Sequence, residues 1–285
     1  IKKAFAEFET EVGKKLYFRN VDQDLLDEFE LYLIHGKNLA INTRGKYMQM
    51  LLVVFKYAQK KKLLSRDALM DLKIVVATEE SDSIYMNEKE LEAFGEYRNP
   101  DNPYLEFIRD MFLIAAYSSL RHSDFSRLTE KNFFDNRIRT IQKKVGRKAV
   151  ISIHPMAKKV IGKYANGFTY ECPKATQVFN ELIREVAKDI KCLDYDVQKR
   201  ITKGTKEITI VKKKWEWVSS HVCRRSFCTN EFLAGTNVEL IMAMSGHTSY
   251  KSFKAYVKAS LEEKADAIER IWEERYKHLR DEEQP

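Results

Sequence analysis

Glycine and proline are scarce in this chain of 285 residues, with ten of one and five of the other, against a usual combined share of roughly 12%. All five prolines lie at or after Pro100. A chain so poor in turn formers is mostly helical. Cysteine is also sparse: Cys172, Cys192, Cys223 and Cys228 show no framework spacing. A chain of this size needs no disulfides, so reduced thiols in a cytoplasmic protein are expected. A zinc site at His221, Cys223 and Cys228 is not expected, because only one such cluster exists. The apolar runs, such as Met50 to Phe55 and Met111 to Tyr117, fall short of the roughly 20 residues that a membrane span needs. No signal peptide is visible. A Walker-type glycine loop and a repeated carboxylate cluster for two metals are likewise missing, so neither a nucleotide cofactor nor a metal is expected. The first residue, Ile1, is not a methionine, which suggests a segment upstream.

What is present is positive charge. Lys plus Arg number 50 and Asp plus Glu 42, a net +8, which favours a polyanionic partner. The segment from Leu261 to Pro285 carries nine acidic and five basic residues, so the rest of the chain holds +12.

The length suits two domains. Residues 1–75 read as a helical bundle: Phe5, Phe8 and Val12 recur at helical spacing, and Leu25, Phe29, Leu31, Tyr32 and Leu33 give a second apolar face. In the third helix, Tyr47, Met50, Leu51, Val54 and Ala58 form a stripe, with Asn42 and Thr43 as candidate N-caps. Between Lys37 and Lys62 stand seven basic residues and no acidic one. Such a stripe backed by unopposed cations suits a helix laid against phosphates or a solvated face. Residues 76–84 read as the linker. From 85 to 285 a second, mixed domain follows, with strands at Arg137 to Ile141 and Ala149 to Ile153 around a basic tip, Lys143-Lys144-Val145-Gly146-Arg147-Lys148. A second hairpin is expected from Ile208–Val211 and Trp215–Val218. A last helix, 261–279, aligns Leu261, Ala265, Ile268, Trp272 and Leu279 in one stripe that needs a groove, on its own body or a neighbour's.

Four separated patches each suit one phosphate. Arg121 precedes a helix capped by Ser123, with Asp124 able to orient it. Lys143 and Lys144 occupy the hairpin tip. Ser219 caps a helix that carries His221 and Arg224 at i and i+3 on one face. Ser-Gly-His at 245–247 is followed by Lys-Ala-Tyr ending at Tyr256, nine residues after His247. Taken singly, Arg121 fits an ion pair with Asp124, His221 a helix cap and His247 a core histidine. Such readings give no reason for the order and spacing of the set.

That ordered set resembles the tyrosine recombinases of the phage integrase family, and is similar to integrases of mobile elements in Bacteroidetes. The family pattern is an Arg in a Gly-Leu-Arg-like turn, a hairpin Lys, His-x-x-Arg, a Gly-His and a Tyr nine residues after that His. Two positions depart from it. Val145 stands where Thr commonly follows the hairpin Lys, and Ser245 stands where Leu is usual. The resemblance implies a mainly α fold, with a helical core-DNA-binding domain and an α-rich catalytic domain holding a small antiparallel sheet. It implies a clamp around double-stranded DNA, working as a homotetramer on two sites, with DNA-bending accessory proteins as further partners.

The implied chemistry is strand cutting and rejoining through a 3′-phosphotyrosyl link, in integration or excision of a mobile element. Tyr256 is the implied nucleophile, Arg121, Arg224 and His247 bind the phosphate, His221 is the base and Lys144 the acid. Lys37, Asn42, Thr43, Arg44, Lys46, Lys143, Arg147 and Arg225 are candidates for gripping DNA. A topoisomerase of the same chemistry and a catalytically idle DNA-binding regulator are the alternative readings.

Overall fold

The computed structural model describes residues 2–13, 15–80, 82–144 and 146–277. The chain divides into two compact units, residues 1–82 with 198–211, and residues 83–197 with 212–285.

The first unit contains α1 (Lys2–Glu11), α2 (Gln23–Leu31), α3 (Ile41–Lys60) and α4 (Arg66–Met70). Asp22 caps α2 through the Leu25 N–H. Phe8, Leu26, Phe29, Leu33, Met48, Leu51, Phe55 and Ala58 form its core, and Phe5 stacks on Phe29 at 4.3 Å between ring centroids. The buried line of α3 is Met48, Leu51, Phe55 and Ala58. The stripe read from the sequence is therefore rotated: Met50 and Val54 are exposed. Both lines have helical spacing, and only the partner helices choose between them. Nor do Asn42 and Thr43 cap α3, because the helix starts after Ala40 without a side-chain cap.

Residues 72–80 run without regular structure beside α3. Gly45 is required there, since a Cβ would come within 2.0 Å of the Ala77 carbonyl. The distal part of a later hairpin completes this unit: Gly204 N–H donates to the Leu39 carbonyl (3.1 Å), and Ile41 N–H to Thr202 Oγ1 (3.3 Å).

The second unit is built around α6 (Pro103–Ala116), in which every residue from Leu105 to Ala116 except Glu106 is buried, eleven in all. Each of its large apolar side chains contributes about 1.5–3 kcal/mol by leaving water. The one buried cation on α6, Arg109, is neutralised by Asp110 at 2.8 Å, and Asp110 also takes Lys163 and the Tyr164 hydroxyl. Around α6 lie α5 (Glu88–Glu96), α8 (Pro155–Ile161), α9 (Thr176–Lys188) and α10 (Ser220–Leu233). The short α7 (His122–Phe125) follows the turn after α6.

An antiparallel sheet is formed by β1 (Phe133–Phe134), β2 (Arg137–Ile141) and β3 (Lys148–Ser152). Ile138 pairs with Ile151, and both are buried against the core. Of the second hairpin expected from the sequence, Ile208–Val211 is a strand but Trp215–Val218 is not, and the partner strand precedes it. The hairpin's strands are β4 (Asp196–Lys203) and β5 (Lys206–Lys213), turning at Gly204, and Lys214–Trp217 is a 3-10 turn. These lysine-rich strands expose most of their residues, so hydrophobic alternation barely marks them.

Last come α11 (Val238–Ser245), α12 (Tyr250–Lys254) and α13 (Leu261–Arg275). The final helix starts on a Ser260/Glu263 capping box and buries Ala267, with Ile271 against Gly235 at the end of α10. The stripe marked in the sequence lies on the other side. Leu261, Ile268 and Trp272 are exposed, and Leu279 lies outside the described residues. No helix among the described residues is long and apolar enough to cross a membrane.

Candidate functional site

Arg224 is the centre of the site. It projects from α10 with only 1% of its surface exposed. Its Nη1 donates to the Ser119 carbonyl at 2.8 Å, Nη2 lies 3.1 Å from Nε2 of His247, and the guanidinium carbon sits 5.2 Å from the ring centre of Tyr256. Burial first, and then Arg121, push its pKa down to about 10. The acceptor, Ser119, has left-handed backbone (φ 58°), a conformation natural to glycine and strained for other residues.

Arg121 follows one residue after Leu120, at the N-cap of α7, with extended backbone (φ −76°, ψ 155°). The cap is thus Arg121, not Ser123. The expected support of Arg121 by Asp124 is also not made. Buried Asp124 accepts from the Lys143 N–H (2.9 Å), from Ser123 (3.3 Å) and from Arg127 (3.5 Å). Arg121 stands outside the helix, so the cation one turn from Asp124 is Arg127. What Asp124 anchors is the β2–β3 turn. Arg121 Nη1 and Arg224 Nε are both buried without a hydrogen-bond partner, and among the described residues neither arginine pairs with a carboxylate.

The β2–β3 turn carries exposed Lys143, Lys144 and Arg147. It closes through Gln142 N–H to the Arg147 carbonyl (2.9 Å) and Gly146 N–H to the Gln142 carbonyl (2.8 Å). The Gln142 side chain is buried against Gly246.

His221 opens α10. Ser219 makes no side-chain cap; instead Ser220 N–H donates to Asn180 Oδ1 of α9 at 2.8 Å. His221 keeps one side open to solvent. Its pKa is nonetheless lowered, by the protein mass around it and then by Arg225, Arg224, Arg121 and Lys144. Those four cations therefore all act on the charge of one imidazole. Burial lowers the pKa of Arg225 as well.

His247 follows the left-handed end of α11. Gly246 has φ 68°, and His247 N–H donates to the Met242 carbonyl at 3.0 Å, which closes the helix end. Its ring lies 4.7 Å from that of Tyr256. Burial, then Arg224 and Arg121, hold its pKa down to about 4. Tyr256 is fixed by Phe253, buried beneath α12, and by Thr229 of α10, whose hydroxyl donates to the Tyr256 carbonyl (3.3 Å) and accepts from Lys258 N–H (3.0 Å). The helix that carries Arg224 thus also positions Tyr256.

Arg224, His247 and Tyr256 accordingly meet in direct contact, and Arg121 acts on both Arg224 and His247, as Lys144 acts on His221, through charge. Sequence reasoning missed their supports: Ser119, Gln142, Asn180 and Thr229. Only Ser119 left a signal, as the residue in the glycine position of the Gly-Leu-Arg-like turn.

The other basic candidates belong to the first unit. Lys37 is paired with Glu7 beside the Tyr32 ring. Asn42 spends both ends of its amide on the Glu79 backbone (2.9 and 3.1 Å). Thr43 is half-buried, Lys46 is exposed, and Arg44 has a buried Nε without a partner.

Residues 1–74 match the phage integrase SAM-like domain, and residues 85–263 match the phage integrase family. Among solved structures, the XerH site-specific recombinase bound to a palindromic difH substrate is similar at 15% identity and a TM-score of 0.65, over 95% of this chain and 77% of that one. The Tn1549 transposon integrase in complex with transposon right end DNA is similar at 15% identity and a TM-score of 0.65, over 96% and 91%. Comparison with curated proteins returned no match.

Proposed function

Because this chain belongs to the phage integrase family, and is on that footing a tyrosine-type site-specific recombinase, we propose that it cuts and rejoins DNA strands through a 3′-phosphotyrosyl intermediate. The observation that carries this reading is the pair of buried arginines with unpartnered nitrogens, Arg121 Nη1 and Arg224 Nε, beside Tyr256. Buried donors are seldom left unpaired, and two unneutralised guanidiniums repel each other. An anion between them would relieve both penalties.

A scissile phosphate fits that place. Arg121 and Arg224 neutralise its non-bridging oxygens, where negative charge builds during attack. Tyr256 Oη attacks phosphorus, the bond to the 5′ oxygen breaks, and the phenol proton passes to His221. The lowered pKa of His221 keeps its ring neutral at pH 7 and able to take that proton. Lys144, on the exposed turn, donates a proton to the departing 5′ oxygen. The phosphotyrosyl bond conserves the energy of the broken one, so a 5′ hydroxyl of another strand reverses the step without ATP. Asp124 acts through the Lys143 backbone, as the anchor of the lysine turn. Lys46, Arg44, Lys143, Arg147 and Arg225 supply backbone contacts. We assign the protein to integration or excision of a mobile element, as a cytoplasmic homotetramer on two sites. The likeness to a transposon integrase supports that assignment.

The test incubates wild type and Tyr256→Phe, in EDTA, with a library of nicked duplexes that lose a short fragment on cleavage. SDS-stable protein–DNA adducts are expected with wild type alone. Selective binding by both proteins with adducts from neither would favour a catalytically idle regulator.

A further inference from the structure

Ser245, at the last turn of α11, is fully buried. Its hydroxyl lies 2.8 Å from Nδ1 of His247 and 3.3 Å from the Met242 carbonyl. The other ring nitrogen, Nε2, faces Nη2 of Arg224 at 3.1 Å. A guanidinium only donates, so Nε2 presents its lone pair and the ring proton sits on Nδ1. Ser245 Oγ then accepts that proton and gives its own to Met242. In this state His247 has no hydrogen to offer a phosphate oxygen on its site-facing side.

A hydroxyl can serve either ring tautomer, because it accepts from Nδ1–H and donates to a bare Nδ1. We infer that Ser245 is a positioning residue that lets His247 exchange its Nδ1–H form for an Nε2–H form when a phosphate enters the site. The oxyanion draws Arg224 Nη2 to itself and frees Nε2. Nε2 takes a proton from solvent while Nδ1 releases one, so the ring stays neutral and no net proton is consumed. The Ser245 hydroxyl turns from the Met242 carbonyl to Nδ1 and holds the new tautomer. The half-buried ring has the solvent access this needs, and its lowered pKa keeps the doubly protonated ring out of the exchange. Leucine or alanine at 245 could hold neither form. The inference rests on the proposed phosphate-binding role of Arg224 and on the one that the family resemblance implies for His247.

The test labels histidine with nitrogen-15 in the full chain and reads the protonated ring nitrogen of His247 by long-range proton–nitrogen correlation. Free wild type is expected to carry the proton on Nδ1, and saturating inorganic phosphate to move it to Nε2. In Ser245→Ala the phosphate-bound spectrum should show the two tautomers mixed. With the nicked-duplex library, that variant should form adducts roughly tenfold more slowly, the loss of about one hydrogen bond, with DNA affinity changed less than about twofold. A ring already protonated at Nε2 without phosphate, a proton that stays on Nδ1 with it, or full-rate adduct formation by Ser245→Ala would each overturn the inference. Absence of adducts with wild type would overturn the recombinase reading instead, and the nitrogen spectra would still decide the role of Ser245.

Discussion

Gly246→Ala should disable the His247 turn at a cost that can be worked from geometry. The backbone there is left-handed, φ 68°, which penalises any residue with a Cβ by about 1–2 kcal/mol. The added Cβ would also lie 2.7 Å from Nε2, 2.9 Å from Oε1 and 3.2 Å from Cδ of Gln142. Gln142 is 6% exposed, so its amide has little room to retreat, and overpacking of this kind costs about 1–3 kcal/mol. Together the two penalties come to about 2–5 kcal/mol, or a fall in Tm of about 5–15 °C for a domain of this size. They can be separated. Gln142→Ala removes the collision and leaves the backbone strain, so in that background Gly246→Ala should cost only about 1–2 kcal/mol. The assay is urea unfolding of the four proteins in a double-mutant cycle. A Gly246→Ala variant as stable as wild type would refute the reasoning, and a cycle with no coupling would refute its Gln142 half.

Acid should weaken the fold through His247. Its folded pKa of about 4 lies below its ordinary 6.5, so between those values the unfolded chain binds a proton that the native state does not. Stability is therefore whole above pH 6.5 and falls as pH drops toward 4; at pH 5 the loss from this partly solvated ring is about 1 kcal/mol. His247→Asn should unfold with less pH sensitivity in urea at pH 7 and 5, and an unchanged sensitivity would contradict the burial argument. Asp124→Ala removes the carboxylate that holds the Lys143 N–H, a charged hydrogen bond of about 1.5–3 kcal/mol. Trypsin should then cut at Lys143, Lys144 or Arg147 roughly tenfold faster, and unaltered digestion would show that the anchor lies elsewhere. Ser119→Gly should raise stability by up to about 1 kcal/mol, because glycine takes φ 58° without strain. A loss instead would mean that the Ser119 side chain matters more than its backbone.

The residues of the candidate site were legible because their chemistry is ordered along the chain. Arg121, Lys144, His-x-x-Arg at 221–224, His247 and Tyr256 are each ambiguous alone and informative in sequence. Their supports were not legible, because a support is chosen by tertiary proximity. Ser119 acts through a carbonyl, which every residue has. Asn180 caps α10 from forty residues away. Asp124 stands three residues from Arg121 in the sequence, yet the extended backbone of Arg121 leaves Asp124 facing the Lys143 turn. In the fold, β2 was plain from its turn signals. The buried face of α3 was not, since Met48 and Met50 have equal claims until neighbouring helices are placed. The face of α13 that meets α10, Ala267 with Ile271, is less apolar than the exposed line of Leu261, Ile268 and Trp272, so hydrophobicity alone pointed the wrong way.

The central claim is a covalent bond between Tyr256 and DNA, and mass spectrometry of a trapped complex tests it most directly. Wild type would be reacted with nicked duplex in EDTA, denatured, and digested with nuclease and trypsin. Cleavage after Lys254 and Lys258 releases a short peptide, Ala255 to Lys258, that contains Tyr256 as its sole tyrosine. The account predicts that this peptide carries a nucleotide through a 3′-phosphate on the tyrosine. A nucleotide found on any other residue, or none on this one while strands are cut, would contradict it.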